Sequence, residues 1–161
     1  MEFDDRLEQA IHRGQRIGQA RLQAESEKAL SEEDLKRLHA RYRLQLSEHI
    51  ETCLAKLPNH FPGFQIETVV GERGWGAKVS RDDLGAGPDR KAKNFYSRLE
   101  LVIRPFSSAQ VLELTAKGTV RNQEVYNRTH YQRLAGADPR SFEELIDLWT
   151  LEYAELYAAK A

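Results

Sequence analysis

The sequence contains very little cysteine and no long apolar run. Cys53 is its only cysteine, which excludes a disulfide within the chain and a zinc knuckle built from CxxC pairs. No stretch of about 18 apolar residues is present, so no segment is predicted to span a bilayer. The first residues, MEFDDRLEQAIHRG, carry acids where a secretory signal has cations, so we expect a cytoplasmic protein.

The glycine-rich segment GERGWGAK, residues 71–78, lacks the spacing of a nucleotide-binding loop. Its G-x-x-G-x-G order matches neither the dinucleotide pattern nor the Walker pattern, and it lies between two predicted strands instead of opening a helix. We therefore predict a hairpin turn in which Gly74 has a positive φ and Trp75 begins the return strand. No cofactor is expected.

Catalytic and metal-binding patterns are also missing. The five histidines, His12, His39, His49, His60 and His130, form no motif with metal-ligand spacing, so no metal is expected. His49 and Cys53, four residues apart on a predicted helix, are the one nucleophile–base pair that spacing identifies. Because Cys53 falls within an apolar stripe, we expect it to pack in the core. The sequence names no catalytic residue and favours a non-enzymatic protein.

The 161 residues are predicted to form one domain, residues 1–161, because 40% of them are hydrophobic and 30% are charged. The charge is uneven: residues 59–133 hold 12 Lys and Arg against 8 Asp and Glu, and residues 134–161 hold 2 against 6. The basic segment can attract an anionic partner or pair with the acidic segment of its own chain.

A basic and aromatic cluster begins inside the predicted loop at residues 82–93 and continues just beyond it. Cations beside aromatic rings are typical of proteins that bind single-stranded nucleic acid. The cations here are Arg90, Lys91 and Lys93, and the aromatic residues are Phe95 and Tyr96. No RNA-binding motif accompanies them and the sequence pI is about 6.5, so we expect no nucleic-acid partner.

Helices are predicted at both ends of the chain. A helical arm at residues 1–30 contains Gly14 and Gly18, which weaken it by about 1 kcal/mol each relative to alanine. Ser31 is predicted to cap a long helix at residues 31–57, which Pro58 ends. A C-terminal helix at residues 139–160 carries an apolar, largely aromatic stripe: Phe142, Leu145, Ile146, Trp149, Tyr153, Leu156 and Tyr157.

Residues 64–133 are predicted to form five antiparallel strands, because apolar and polar residues alternate through them. The expected fold is therefore α+β: a five-stranded antiparallel meander with the long N-terminal helix and the C-terminal helix packed on one face. Leu101, Leu114, Trp149 and Tyr153 are predicted to share the core between the sheet and the C-terminal helix.

The candidate binding residues lie on the predicted sheet. Arg98, Arg104 and Lys117 share the polar face with Glu100 and Glu113, with which we expect cross-strand ion pairs. The last strand adds Asn127, Arg128 and His130, the first facing away from the other two.

These patterns predict a non-enzymatic protein-interaction or adaptor module with a protein partner. The alternative is a small-molecule-binding or enzymatic domain with a pocket between the sheet and the helices. We also expect a homodimer, because Leu148 and Leu151 lie off the core stripe of the last helix, as does Leu44 on the long helix. The notch at Gly14 and Gly18 also suits a partner helix.

Overall fold

The computed structural model describes residues 2–86 and 92–160. The chain divides into two compact units, residues 1–37 and 38–161, where the sequence predicted one domain. The first unit is helical. The second holds the sheet, the remaining helices and the buried core.

One continuous helix, α1, extends from Phe3 to Leu54. The predicted boundary between an arm at residues 1–30 and a helix at residues 31–57 is therefore wrong. The residues on both sides of Ser31 are mostly strong helix formers, such as Glu, Lys, Ala and Leu, so a possible capping side chain does not interrupt the helix. Pro58 lies inside the short helix α2 (Leu57–His60), where its missing N–H is tolerated in the first turn.

Five strands form one antiparallel meander in the order β1-β2-β3-β4-β5, which confirms the predicted α+β fold. Their bounds are β1 Gln65–Val69, β2 Trp75–Ala86, β3 Ala92–Ile103, β4 Val111–Val120 and β5 Gln123–Arg133. Gly74 has a φ of 127° and Trp75 begins β2, so the predicted hairpin turn is confirmed. Helix α3 (Pro139–Lys160) follows β5 after a single 3₁₀ turn.

The described residues of the predicted loop, 82–86 and 92–93, are strand and not loop, so this prediction is wrong for them. Residues 82–86 pair with residues 92–96, extending the β2–β3 hairpin. Two side-chain hydrogen bonds stabilise this part of the hairpin: Asn94 donates to Asp82, and Arg81 donates to Asp83. Residues 87–91, including Arg90 and Lys91 of the predicted basic cluster, lie outside the described residues.

The core lies between the inner face of the sheet and the helices. Helix α3 packs on β3 and β4, and the predicted core residues Leu101, Leu114, Trp149 and Tyr153 are all buried. Leu46, Ile50 and Leu54 of α1 are fully buried as well. No helix within the described residues is both long enough and apolar enough to cross a lipid bilayer.

Two tyrosines and a glycine bring α3 close to the sheet. The Tyr126 hydroxyl donates to the carbonyl oxygen of Trp149 at 2.9 Å, and the Tyr153 hydroxyl donates to that of Thr119 at 2.8 Å. A Cβ at Gly118 would lie 3.2 Å from Tyr126 Cζ and 3.3 Å from Tyr153 Cδ2. Glycine at this position therefore leaves room for both rings.

We expect Trp149→Ala to lower the free energy of unfolding by about 3–5 kcal/mol, because truncating a large buried side chain leaves a cavity. Urea denaturation measures the change. Glu144→Ala, at an exposed position of the same helix, is the control and should change stability by less than about 0.5 kcal/mol. Equal effects of the two substitutions would contradict the packing.

Candidate functional site

Helices α1 and α3 lie side by side in the second unit and run in the same direction. Gln45 Nε2 donates to Glu143 Oε1 at 2.7 Å, and one turn further along both helices His49 Nε2 lies 2.8 Å from Asp147 Oδ1. The residue numbers rise together on the two helices, so the helices are parallel. Each pair is separated from the next by four residues, the spacing that keeps side chains on one helical face.

Cys53 joins this row and completes a cluster of three side chains, which we call the α1–α3 cluster: His49, Cys53 and Asp147. The Cys53 thiol donates to Asp147 Oδ1 at 3.1 Å, and its Sγ lies 3.6 Å from His49 Nε2. One nitrogen, one sulfur and one carboxylate oxygen thus lie within 4.8 Å of one another. Atoms this close can all contact a single cation.

The cluster does not have the geometry of a catalytic relay. In a relay, one imidazole nitrogen faces the nucleophile and the other faces the carboxylate. Here the same nitrogen, Nε2 of His49, faces both Cys53 and Asp147. When Nε2–H donates to Asp147, it cannot also accept the thiol proton, so His49 is not placed to act as a base toward Cys53.

The electrostatics also keep Cys53 protonated. Desolvation, followed by the hydrogen bond to Asp147 and the negative charge of that carboxylate, raises the pKa of Cys53 to about 12. Desolvation raises the pKa of Asp147 too, but the hydrogen bonds from Cys53 and His49 outweigh it and leave that pKa below its ordinary value. At neutral pH the cluster therefore holds a thiol and a carboxylate.

The expectation that Cys53 is packed in an apolar core is wrong, because its side chain is half-buried and borders an open groove. This α1–α3 groove has a volume of about 620 Å³. Its lining is mostly apolar and comprises Cys53, Lys56, Leu57, His60, Phe61, Asp147, Thr150, Leu151 and Ala154.

Sequence reasoning identified the His49–Cys53 pair but missed Asp147. Asp147 lies on the flank of the α3 stripe, where a side chain points toward a neighbouring helix. The matching spacing of Gln45, His49 and Cys53 with Glu143 and Asp147 is visible in the sequence. The sequence does not show that these two helices are neighbours, since that follows from the tertiary packing.

Three of the six predicted binding residues are brought together on the outer face of the sheet. Arg98, Lys117 and Asn127 line a shallow depression of about 410 Å³ with Gly118, Thr119, Asn122 and Glu124. Within the described residues, the buried Nε of Arg98 has no hydrogen-bond partner. The depression is therefore a polar surface with one incompletely paired cation.

The other three predicted binding residues have intramolecular contacts elsewhere. Arg104 donates to the carbonyl oxygen of Arg73 at 2.7 Å. Arg128 pairs with Glu152 of α3, and the His130 ring packs 4.9 Å from the Phe142 ring. Arg128 and His130 thus lie on the inner face of the sheet, opposite Arg98, Lys117 and Asn127.

Glu100, one of the two acids on the polar sheet face, does not form the expected cross-strand ion pair. Glu100 is buried and pairs with Arg73 of the β1–β2 turn at 3.4 Å, although Lys117 is its register partner on β4. Lys78, its register partner on β2, pairs with Glu67. Two ion pairs thus lie on the outer face, while the buried Nε of Arg98 and Oε2 of Glu100 have no hydrogen-bond partner among the described residues.

Comparison with protein-family models, curated proteins and solved structures found no match to this chain.

We expect native Cys53 to react slowly with iodoacetamide near neutral pH when a metal chelator is present. A pKa raised from 9.0 to about 12 lowers the thiolate fraction about a thousandfold, and the thiolate is the reactive form. Asp147→Asn removes the negative charge that disfavours the thiolate, so this variant should react faster.

Glu144→Gln is the matched control for that experiment, because it neutralises an exposed carboxylate on the same helix outside the cluster. It should leave the labelling rate unchanged. A native protein labelled as fast as the urea-unfolded chain would show that Cys53 is not held as described.

Proposed function

We propose that this protein is a non-enzymatic interaction module that forms a homodimer. The observation that supports this is an exposed apolar stripe on the first unit of the chain. Every large apolar side chain among described residues 2–26 has between 47% and 72% of its surface exposed. These residues, the α1 stripe, are Phe3, Leu7, Ile11, Ile17 and Leu22.

The α1 stripe follows one side of the helix. At about 100° per residue its five members fall within an arc of about 140°. Ala10, Gly14 and Gly18 lie inside the same arc, and a Cβ added at either glycine would meet no atom within 4 Å. Small residues of this kind let the backbone of a second helix approach closely.

A second copy of the same helix is the partner that we propose for the α1 stripe. Helices gain most of their stability from packing an apolar face, and burying one leucine or isoleucine side chain contributes about 1.5–3 kcal/mol. A two-fold contact uses one surface twice, so a single stripe satisfies both copies. Arg21 and Glu25 continue the arc with opposite charges that can pair between copies.

The second unit presents an apolar surface of its own. Leu148 and Leu151 of α3 are 47% and 67% exposed, and Leu151 also lines the α1–α3 groove. Leu44, on α1, is 57% exposed. An exposed leucine beside an apolar groove is self-complementary, because the leucine of one copy can enter the groove of another. We propose this surface, the α3 face, as a further contact with a second copy.

A small-molecule-binding function is the alternative, and the size of the α1–α3 groove favours it. Ligand pockets commonly measure about 300–1,000 Å³, a range that includes the volume of about 620 Å³ found here. An apolar compound that raises the melting temperature without changing the oligomeric state would support this alternative.

We expect Ile11→Glu combined with Ile17→Glu to convert the dimer to a monomer, because each substitution places like charges on both sides of a symmetric contact. Sedimentation equilibrium in the tens-of-micromolar range measures the change. The control is Gln9→Glu combined with Ala20→Glu, which adds the same charge to the opposite side of the helix and should leave a dimer. A monomeric wild type, or a stripe variant that stays dimeric, contradicts the proposal.

The α3 face is tested separately by Leu148→Glu combined with Leu151→Glu. We expect this variant to weaken self-association, measured as a higher dissociation constant, while the unfolding free energy of the second unit changes little. Ala158→Glu combined with Ala159→Glu, at exposed positions of the same helix, is the control with equal added charge. An unchanged dissociation constant would remove the α3 face from the interface.

A further inference from the structure

We propose that His49, Cys53 and Asp147 form a binding site for one divalent transition-metal ion of the zinc class. The proposal does not depend on the proposed homodimer, because all three side chains belong to the second unit of a single chain. Each experiment on the site can therefore fail or succeed without deciding the oligomeric state.

The distances between the three ligand atoms fit a metal ion after a small adjustment. Bond lengths of about 2.0–2.3 Å at tetrahedral angles place nitrogen and sulfur about 3.6 Å apart, and nitrogen and oxygen about 3.4 Å apart. The structure has 3.6 Å between His49 Nε2 and Cys53 Sγ, and 2.8 Å between His49 Nε2 and Asp147 Oδ1. The ion would require only the Asp147 carboxylate to move outward, by about half an ångström.

The donor set selects the class of metal. Imidazole nitrogen and thiolate sulfur bind zinc and neighbouring transition metals, whereas magnesium and calcium prefer sites made of oxygen alone. His49 and Cys53 lie four residues apart on α1, so one helix presents both at a fixed separation. Asp147 is contributed by α3, so the ion would also link the two helices.

The charges balance when the metal binds. Asp147 already carries its negative charge, and Cys53 becomes a thiolate by releasing its proton to solvent, so two anionic ligands neutralise the divalent cation. Metal ligation uses the neutral form of an imidazole, so His49 adds no charge to the complex. Binding should therefore release about one proton per ion.

Cys53 and Asp147 both line the α1–α3 groove, which places the ion at its edge. Three protein ligands leave a fourth coordination position for water or an anionic group. Lys56 opposes binding, because it lines the same groove and its positive charge acts on both Cys53 and Asp147. Removing this charge should strengthen binding.

Titration of the chelator-treated protein with Co²⁺, followed by competition with Zn²⁺, tests the site. We expect one ion per chain and a thiolate-to-cobalt absorption band that Cys53→Ser abolishes. Loss of even an outer partner of a metal ligand reduces affinity roughly 10–100-fold, so His49→Gln and Asp147→Asn should each weaken Zn²⁺ binding at least tenfold. His60→Gln, which changes a groove residue outside the cluster, should leave the affinity unchanged.

Weaker Zn²⁺ binding in a variant could also result from unfolding. We expect Lys56→Gln to increase the affinity for Zn²⁺, and unfolding cannot produce an increase. Circular dichroism verifies that each variant is folded. Absence of the sulfur-dependent band, or Zn²⁺ binding that falls equally in His60→Gln and His49→Gln, would overturn the proposal. Binding without release of a proton would also overturn it, since a thiolate ligand requires that release.

Discussion

The close packing of α3 on small residues of β4 is the constraint on which the second unit depends. Ala116 and Gly118 lie on the inner face of β4, where the rings of Tyr126 and Tyr153 occupy the space above Gly118. Hydrogen bonds from both tyrosine hydroxyls to backbone carbonyls then hold α3 at one height above the sheet. A larger residue at position 118 would push these rings away and displace the helix.

The position of α3 on the sheet determines which of its side chains contact α1. Because the two helices are parallel neighbours, their side chains meet at every fourth residue, which brings Asp147 to His49 and Cys53. The same arrangement leaves Leu148 and Leu151 on the outside and opens the groove in front of Cys53. The polar cluster and the apolar surface are thus two consequences of one packing arrangement.

The sequence was sufficient for the fold class and the core, because strand alternation and the aromatic stripe of α3 are local patterns with different periods. The sequence predicted a helix boundary at Ser31, because a serine followed by acidic residues is a local capping signal. The helix-forming residues on both sides of Ser31 instead continue α1 through this position. Asp82, Asp83 and Gly85 interrupt the apolar alternation, so the sequence did not show the end of β2, which pairing with β3 stabilises. Asp147 could not be assigned to the site, since its proximity to Cys53 depends on contacts 94 residues apart.

His49, Cys53 and Asp147 converge across two parallel helices, and a crystal structure of the protein grown with zinc would show directly whether they hold a metal ion. An anomalous-difference map at the zinc edge should contain one peak in each chain, within bonding distance of His49 Nε2, Cys53 Sγ and an Asp147 carboxylate oxygen. A structure in which α3 runs antiparallel to α1, or in which these side chains are separated and the zinc lies elsewhere, would contradict the proposed site.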